Sequence, residues 1–272
     1  RFINLWITVC FYSIVLYIPA TLTGELMLGI RSTLSLLNPF TSCYWYFAAY
    51  SGLFIILPYL NKGLLKLSEK EHRNLLLLLI FGFSILGCWN GRELAQNGHT
   101  AAWLIIMYIT GAYIRLHGIH IKKGYLLAVF IISIGINFVA LLFQGNVEYI
   151  LFRSYTSFST TFASISFFVL ILTIPLRTSR ISNFLKWLSP MAFSVYLIHC
   201  HPYNWQLLTE YLSKFATLTD YACWFIPAVS IVLYMICSIL DLVRIHLFRL
   251  IKADTIASRL TQFVPNFIQK IK

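Results

Sequence analysis

Long apolar runs alternate along this chain with short polar linkers, and the runs are of membrane-crossing length. Eight can be drawn, at residues 2–20, 44–60, 74–90, 99–115, 125–143, 158–176, 188–206 and 221–243. At about 1.5 Å per residue, such a helix crosses most or all of a hydrocarbon layer about 30 Å thick. The runs are continuous rather than alternating with period two, which predicts helices and not a β-barrel. The expected fold class is therefore all-α: a polytopic transmembrane helix bundle of about eight spans. Two further stretches should lie along the membrane surface. Residues 24–38 are apolar but interrupted and predict an outer loop or interfacial helix. Residues 244–272 mix Ile245, Phe248, Ile251, Ile256, Leu260 and Phe263 with basic residues, the pattern of an amphipathic tail drawn to anionic lipid. The domain reading is one transmembrane domain, 1–243, followed by this basic cytoplasmic tail, 244–272.

The linkers orient the bundle. With residue 1 inside, 17 of the 21 Lys and Arg fall in the inside segments, and only Arg31, Arg92, Arg153 and Lys214 fall outside. That asymmetry is the positive-inside pattern and places both ends of the chain in the cytoplasm. Composition agrees: 59% hydrophobic, 11% charged and a mean hydropathy of +0.76 exclude an ordinary water-soluble domain. The net charge of +12 sits in short clusters between apolar runs, so it reads as topology rather than a nucleic-acid surface. Trp45, Trp89, Trp103, Trp187, Trp205 and Trp224 fall at span ends, where an amphipathic ring prefers the interface; Trp6 alone lies within a span. The six cysteines form no metal-ligand spacing and read as small buried hydrophobes. Asp241 is the one formal charge inside a span, near a cytoplasmic exit.

Candidate chemistry concentrates in Ser194-Val195-Tyr196-Leu197-Ile198-His199-Cys200-His201-Pro202. Ionisable side chains at membrane depth are functional-site hypotheses by default. Ser189-Pro190 reads as a helix start, which puts His199 roughly 14 Å into its span. On one helix, Tyr196, His199 and Tyr203 share a face, while His201 points to another. Pro202 removes a backbone donor and crowds the Ile198 carbonyl, so a kink and a polar pocket are expected beside His199. His199 is then either a proton-handling or substrate-orienting group or a histidine bonded structurally to a neighbouring helix. His201, nearer the outer surface, reads as structural.

The remaining candidates are weaker. Tyr44-Trp45-Tyr46-Phe47-Ala48-Ala49-Tyr50 is dense in aromatics at the outer entrance of its span. An interfacial belt explains Tyr44 and Trp45; Tyr50 sits deeper, and such rings also suit stacking on sugars. Arg92 and Glu93 carry external charge in a loop that reads as solvated. Asn137 is expected to join helices. His72, His117, His120 and His246 lie among cytoplasmic basic residues and read as surface charges, in patches that suit an anionic cofactor arriving from the cytosol. Nucleotide-binding loops, a G-x-S-x-G elbow and H-E-x-x-H are all absent from the sequence, and no metal is expected.

Several ordered pieces resemble the acyltransferase 3 family of bacterial multi-span membrane enzymes. They are Tyr44-Trp45-Tyr46-Phe47-x-x-Tyr50-x-Gly52-Leu53 with Pro58-x-Leu60-Asn61, then Gly111-Ala112-Tyr113-Ile114-Arg115, then Leu188-Ser189-Pro190 with Ser194-x-Tyr196-Leu197-Ile198-His199. The resemblance implies an O-acyltransferase of the bacterial cytoplasmic membrane, moving an acyl group, usually acetyl, from acetyl-CoA to a cell-surface or lipid-linked saccharide. It implies His199, Tyr196 and Ser194 in supporting catalytic roles, and Trp45, Tyr46, Tyr50, Arg92 and Glu93 on the acceptor side. Arg1 and Arg115 would face the acyl donor, with membrane lipid, saccharide and acyl-CoA as partners. Family members begin with about two further spans carrying an arginine and a histidine regarded as central to catalysis. The sequence is accordingly read as N-terminally incomplete, with the main catalytic histidine outside it. A lipid-linked polysaccharide transporter or flippase, and an inactive truncated remnant, are the alternatives.

Overall fold

A computed structural model describes residues 2–22, 29–87, 96–142, 154–175, 180–216 and 222–263. The described residues are helical throughout their regular structure, with no strand among them. Two compact units divide the chain: residues 1–47 with 177–272, and residues 48–176.

The first unit holds α1 (Phe2–Val15), α2 (Ile18–Leu22), α3 (Ile30–Leu37), α9 (Arg180–Leu188), α10 (Ala192–His199), α11 (Pro202–Ala216), α12 (Ala222–Leu250) and α13 (Ala253–Phe263). The second holds most of α4 (Trp45–Leu64), then α5 (Glu69–Ile80), α6 (Ala101–His117), α7 (Lys123–Leu142) and α8 (Phe158–Leu172). In the first unit, α10 packs along α12, while α1 packs against α3, α10 and α13. Its core brings Val9 and Tyr12 of α1 into the same buried set as Val195, Leu197, Ile198 and Cys237. Ala253 and Ala257, one turn apart on α13, are buried as well, which fits the close approach of α13 to α1. In the second unit α5 packs on α6 and α7 on α8.

Among the described residues, two helices, Lys123–Ala140 within α7 and Trp224–Leu250 within α12, are long and apolar enough to cross a membrane. Phe2–Val15, Ala101–His117 and Phe158–Leu172 are apolar but shorter. The surface of α7 and α12 is the opposite of a soluble core helix. Ile131, Ile132, Phe138, Ile231 and Val243 are each more than half exposed, as suits side chains facing hydrocarbon.

Local chemistry explains where elements begin and end. Ser68 and Glu71 form a capping box: the Ser68 hydroxyl accepts from the Glu71 N–H at 3.4 Å, and Glu71 Oε2 accepts from the Ser68 N–H at 2.8 Å. The box starts α5 at Glu69, ahead of the apolar run expected from residue 74. Gly118, at φ +76°, supplies the left-handed residue that ends α6, and its N–H bonds the Ile114 carbonyl at 3.1 Å. Asn137 does join helices: its Oδ1 accepts from the Ser159 hydroxyl on α8 at 2.5 Å.

Three expectations need correction. The span at 2–20 breaks at Leu16-Tyr17 into α1 and α2. The last span does not stop at residue 243, since α12 continues to Leu250 and carries Arg244 and Arg249 inside the helix. Trp103 is a core residue, 6% exposed and packed against Leu79, Ile80, Phe83 and Met107, not an interfacial anchor. The Trp6 indole, on α1, donates to the Leu37 carbonyl at 2.8 Å. The interfacial helix expected at 24–38 is α3; residues 24–28 lie outside the described residues, as do 264–272 of the tail.

Candidate functional site

The first unit owes its site to a helix that stops early. Pro202 has no N–H to offer the Ile198 carbonyl, so the helix through Ser194 and Tyr196 ends at His199. Cys200 closes it with an N–H bond to the Tyr196 carbonyl at 3.0 Å, and Pro202 opens α11 at the position where its fixed φ suits a helix. The Asn204 amide donates to the Ile198 carbonyl at 2.8 Å in place of the missing proline N–H. The expected kink is thus a full break, and the carbonyl expected to need a polar pocket is satisfied by Asn204. Ser189-Pro190 starts a single 3₁₀ turn rather than the helix itself, so His199 ends an eight-residue helix instead of lying inside a long one. Tyr203 belongs to α11 and does not share a helix with Tyr196 and His199.

His199 is half-buried. Its Nδ1 lies 2.7 Å from the Val195 carbonyl, which can only accept, so Nδ1 carries the proton and Nε2 the lone pair. The Cys200 thiol sits 3.2 Å from Nε2. Tyr196 is half-buried and its hydroxyl oxygen accepts from the Tyr46 N–H at 3.3 Å. Its ring stands near those of Tyr44, Tyr46 and His199, at centroid distances of 6.0, 5.8 and 6.3 Å. Ser194 is buried on the same helix.

His201 differs most from its sequence reading. Expected near the outer surface and on a separate face, it is fully buried, edge-on to Tyr17 at 4.2 Å and tilted against Tyr44 at 6.2 Å. The helical-wheel argument fails because the two histidines are not on one helix. The break between α10 and α11 re-aims His201 to the aromatic cluster that Tyr196 and His199 border. Neither ring nitrogen of His201 has a hydrogen-bond partner among the described residues, and neither does the Tyr44 hydroxyl. Tyr44, expected in an interfacial belt, is 1% exposed. An unpaired buried polar atom costs about 1–3 kcal/mol, so these three atoms carry hydrogen-bonding capacity that nothing among the described residues uses.

A second buried polar group in the same unit is closed. Asp241 is fully buried and accepts from the Tyr12 hydroxyl at 2.8 Å; Arg244 grips both its oxygens, at 2.5 and 3.1 Å. The guanidinium also lies over Phe248 at 4.9 Å. This charge has an ion-pair partner and a hydroxyl donor inside the unit.

The second unit contains a histidine pair that the sequence placed on the surface. His72 is fully buried; its Nε2–H donates to the Ile109 carbonyl at 3.1 Å, and its Nδ1 accepts from His117 Nε2 at 3.3 Å. Burial, with His117 as neighbour, holds the His72 pKa below the ordinary histidine value despite the carbonyl's opposing pull. Arg115 is exposed in the last turn of α6, where a cation suits the helix dipole. A cavity of about 370 Å³ lies between α6 and α8, lined by Met107, Thr110, Gly111, Ile114, Ser164, Ile165 and Phe168 and by no charged side chain.

The expected site residues are only partly gathered. Tyr46 meets Tyr196. Trp45 and Tyr46 are exposed at the start of α4, their rings edge to face at 5.8 Å, and Tyr50 is half-buried a turn later. Arg1, Arg92 and Glu93 lie outside the described residues. Tyr17, Tyr44 and His201 were not among the expected site residues; the cue was a second histidine placed directly before a helix-stopping proline. Among the described residues no group of three metal-ligating side chains occurs.

No curated protein and no solved structure matches the chain. A family model described as an acyltransferase domain matches residues 1–252, nearly the whole sequence. The motif pieces on α4, α6 and α10 fall inside that match, and the chain belongs to the acyltransferase 3 family of membrane acyltransferases.

Proposed function

We propose that this chain is an integral membrane O-acyltransferase domain of a bacterial cytoplasmic membrane, with about eight spans and both ends in the cytoplasm. It takes an acyl group, acetyl by preference, from an acyl-CoA on the basic cytoplasmic side. It delivers that group to a hydroxyl of an outward-facing or lipid-linked saccharide. The observation that carries the reading is the family match across residues 1–252.

Acyl transfer to an alcohol needs a group that takes the hydroxyl proton and donors that meet the developing oxyanion. His199 supports the reading because its Nε2 bears the lone pair, with Tyr196 and the buried Ser194 on the same short helix. Trp45, Tyr46 and Tyr50 offer aromatic faces to a sugar, and Arg92 and Glu93 polar contacts. Arg1 and Arg115 supply cationic charge for the donor's phosphates. In this reading these residues hold supporting roles in the chemistry, positioning the acceptor and handling its proton. Against a transporter stands the state of Asp241, whose charge is already neutralised by an ion pair with Arg244 and bonded by Tyr12.

The test is complementation with the full protein. Deleting the gene should remove base-labile acetate from the envelope saccharide, the full protein should restore it, and His199→Ala should restore it at least about tenfold less well. Polymer export lost while acetylation persists would overturn the reading.

A further inference from the structure

The cluster of buried His201 and Tyr44 with half-buried Tyr17 is absorbed by none of the roles above. A neutral imidazole presents one donor and one acceptor on opposite edges of the ring, and a tyrosine hydroxyl can be either. Here both imidazole edges and the Tyr44 hydroxyl are buried without partners, while Tyr17 packs on the His201 ring and fixes its orientation. In a medium without bulk water such groups require a partner.

The partner's chemistry follows from the valences. An anion would leave the unprotonated ring nitrogen unmet, and the described groups that line the cluster include no fixed cation to neutralise it. An ammonium would leave the N–H unmet. A hydroxyl both donates and accepts, so one hydroxyl at each edge of the ring meets both nitrogens. Resting on the acyltransferase reading, we propose that His201 and Tyr44 bind the acceptor's hydroxyl groups, so that the break between α10 and α11 forms the acceptor-saccharide subsite beside Tyr196 and His199. Tyr17 is a positioning residue that holds the imidazole edge-on. The Asn204 bond to Ile198 serves the same end, since it completes the break without drawing on His201.

The experiment uses the full protein in lipid nanodiscs, with radiolabelled acetyl-CoA as donor and the lipid-linked saccharide extracted from the same cells as acceptor. His201→Phe keeps a ring and removes both polar edges; Tyr44→Phe removes one hydroxyl; His201→Gln retains a donor and an acceptor. The expected result for His201→Phe is a rise of at least tenfold in the KM for saccharide, an unchanged KM for acetyl-CoA, and a melting temperature equal to or above that of the wild type. Tyr44→Phe should show a smaller rise, and His201→Gln should recover part of the loss. Independently of turnover, saccharide should raise the melting temperature of the wild type and not of His201→Phe. Wild-type transfer by His201→Phe, or a saccharide shift that survives the substitution, would overturn the proposal and leave a site for water alone. A wild type that binds saccharide through His201 but transfers no acetyl would overturn the acyltransferase reading and keep the subsite.

Discussion

Two buried polar groups lie in the same unit, and they are opposites. Tyr12, Asp241 and Arg244 close on one another: a fully buried carboxylate accepts from a hydroxyl and from two guanidinium nitrogens. His201 and Tyr44 are equally buried and leave three polar atoms unmet. A closed network holds helices together, and an open one keeps hydrogen-bonding capacity that a ligand could use. Depth and residue type do not separate the two, because a charged group in an apolar helix is the structural member and a neutral ring is the open one. The count of satisfied valences separates them.

Substitutions should therefore move stability and transfer in opposite ways at the two places. The largest stability loss is expected for Asp241→Leu, which strands a half-buried guanidinium; breaking such a pair costs about 3–5 kcal/mol. Thermal unfolding of the full protein should show it, and Asp241→Leu with Arg244→Met should recover most of it. Asn204→Leu comes next, because it leaves the Ile198 carbonyl bare at the helix break, at about 1–3 kcal/mol. It should also lower transfer by loosening the placement of His201. His201→Phe should reverse the pattern, with stability unchanged or raised and transfer lost. A His201 variant that melted as early as Asp241→Leu would erase the distinction.

The histidine pair in the other unit sharpens the comparison with a smaller effect. His72 and His117 form a closed pair, so His72 should behave structurally. Its pKa is held below the ordinary histidine value, so on acidification the unfolded chain takes up the proton first. Stability should thus be insensitive to pH above the ordinary histidine range and fall as pH drops through that range toward the lowered folded value. His72→Gln should flatten that slope in pH-dependent unfolding, with transfer at neutral pH preserved. A slope that persists in His72→Gln would place the titration elsewhere.

Much of the fold was legible because it depends on nearby residues. The apolar runs at 44–60, 99–115 and 125–143 correspond to α4, α6 and α7 within a few residues, and the role of Asn137 between helices followed from a polar group in an apolar run. What escaped depends on distant partners. Nothing near His201 in sequence announces that Tyr17 and Tyr44 enclose it, and nothing near His72 announces the Ile109 carbonyl. Pro202 signalled a disturbance, but periodicity assumes a continuous helix, and a full break removes the rule that sent His199 and His201 apart. The Ser68 capping box was readable in the sequence and would have placed the start of α5 correctly. The end of α12 was obscured because Asp241 and Arg244 look like a helix exit until they are seen as a pair.

The most direct measurement is transfer of labelled acetyl from acetyl-CoA to the extracted lipid-linked saccharide by the full protein in nanodiscs, with melting temperature recorded on the same samples for wild type, His201→Phe and Asp241→Leu. The expected outcome is that His201→Phe loses transfer at least tenfold without losing stability, while Asp241→Leu loses stability first and activity only with it. Full transfer by a stable His201→Phe would contradict the account.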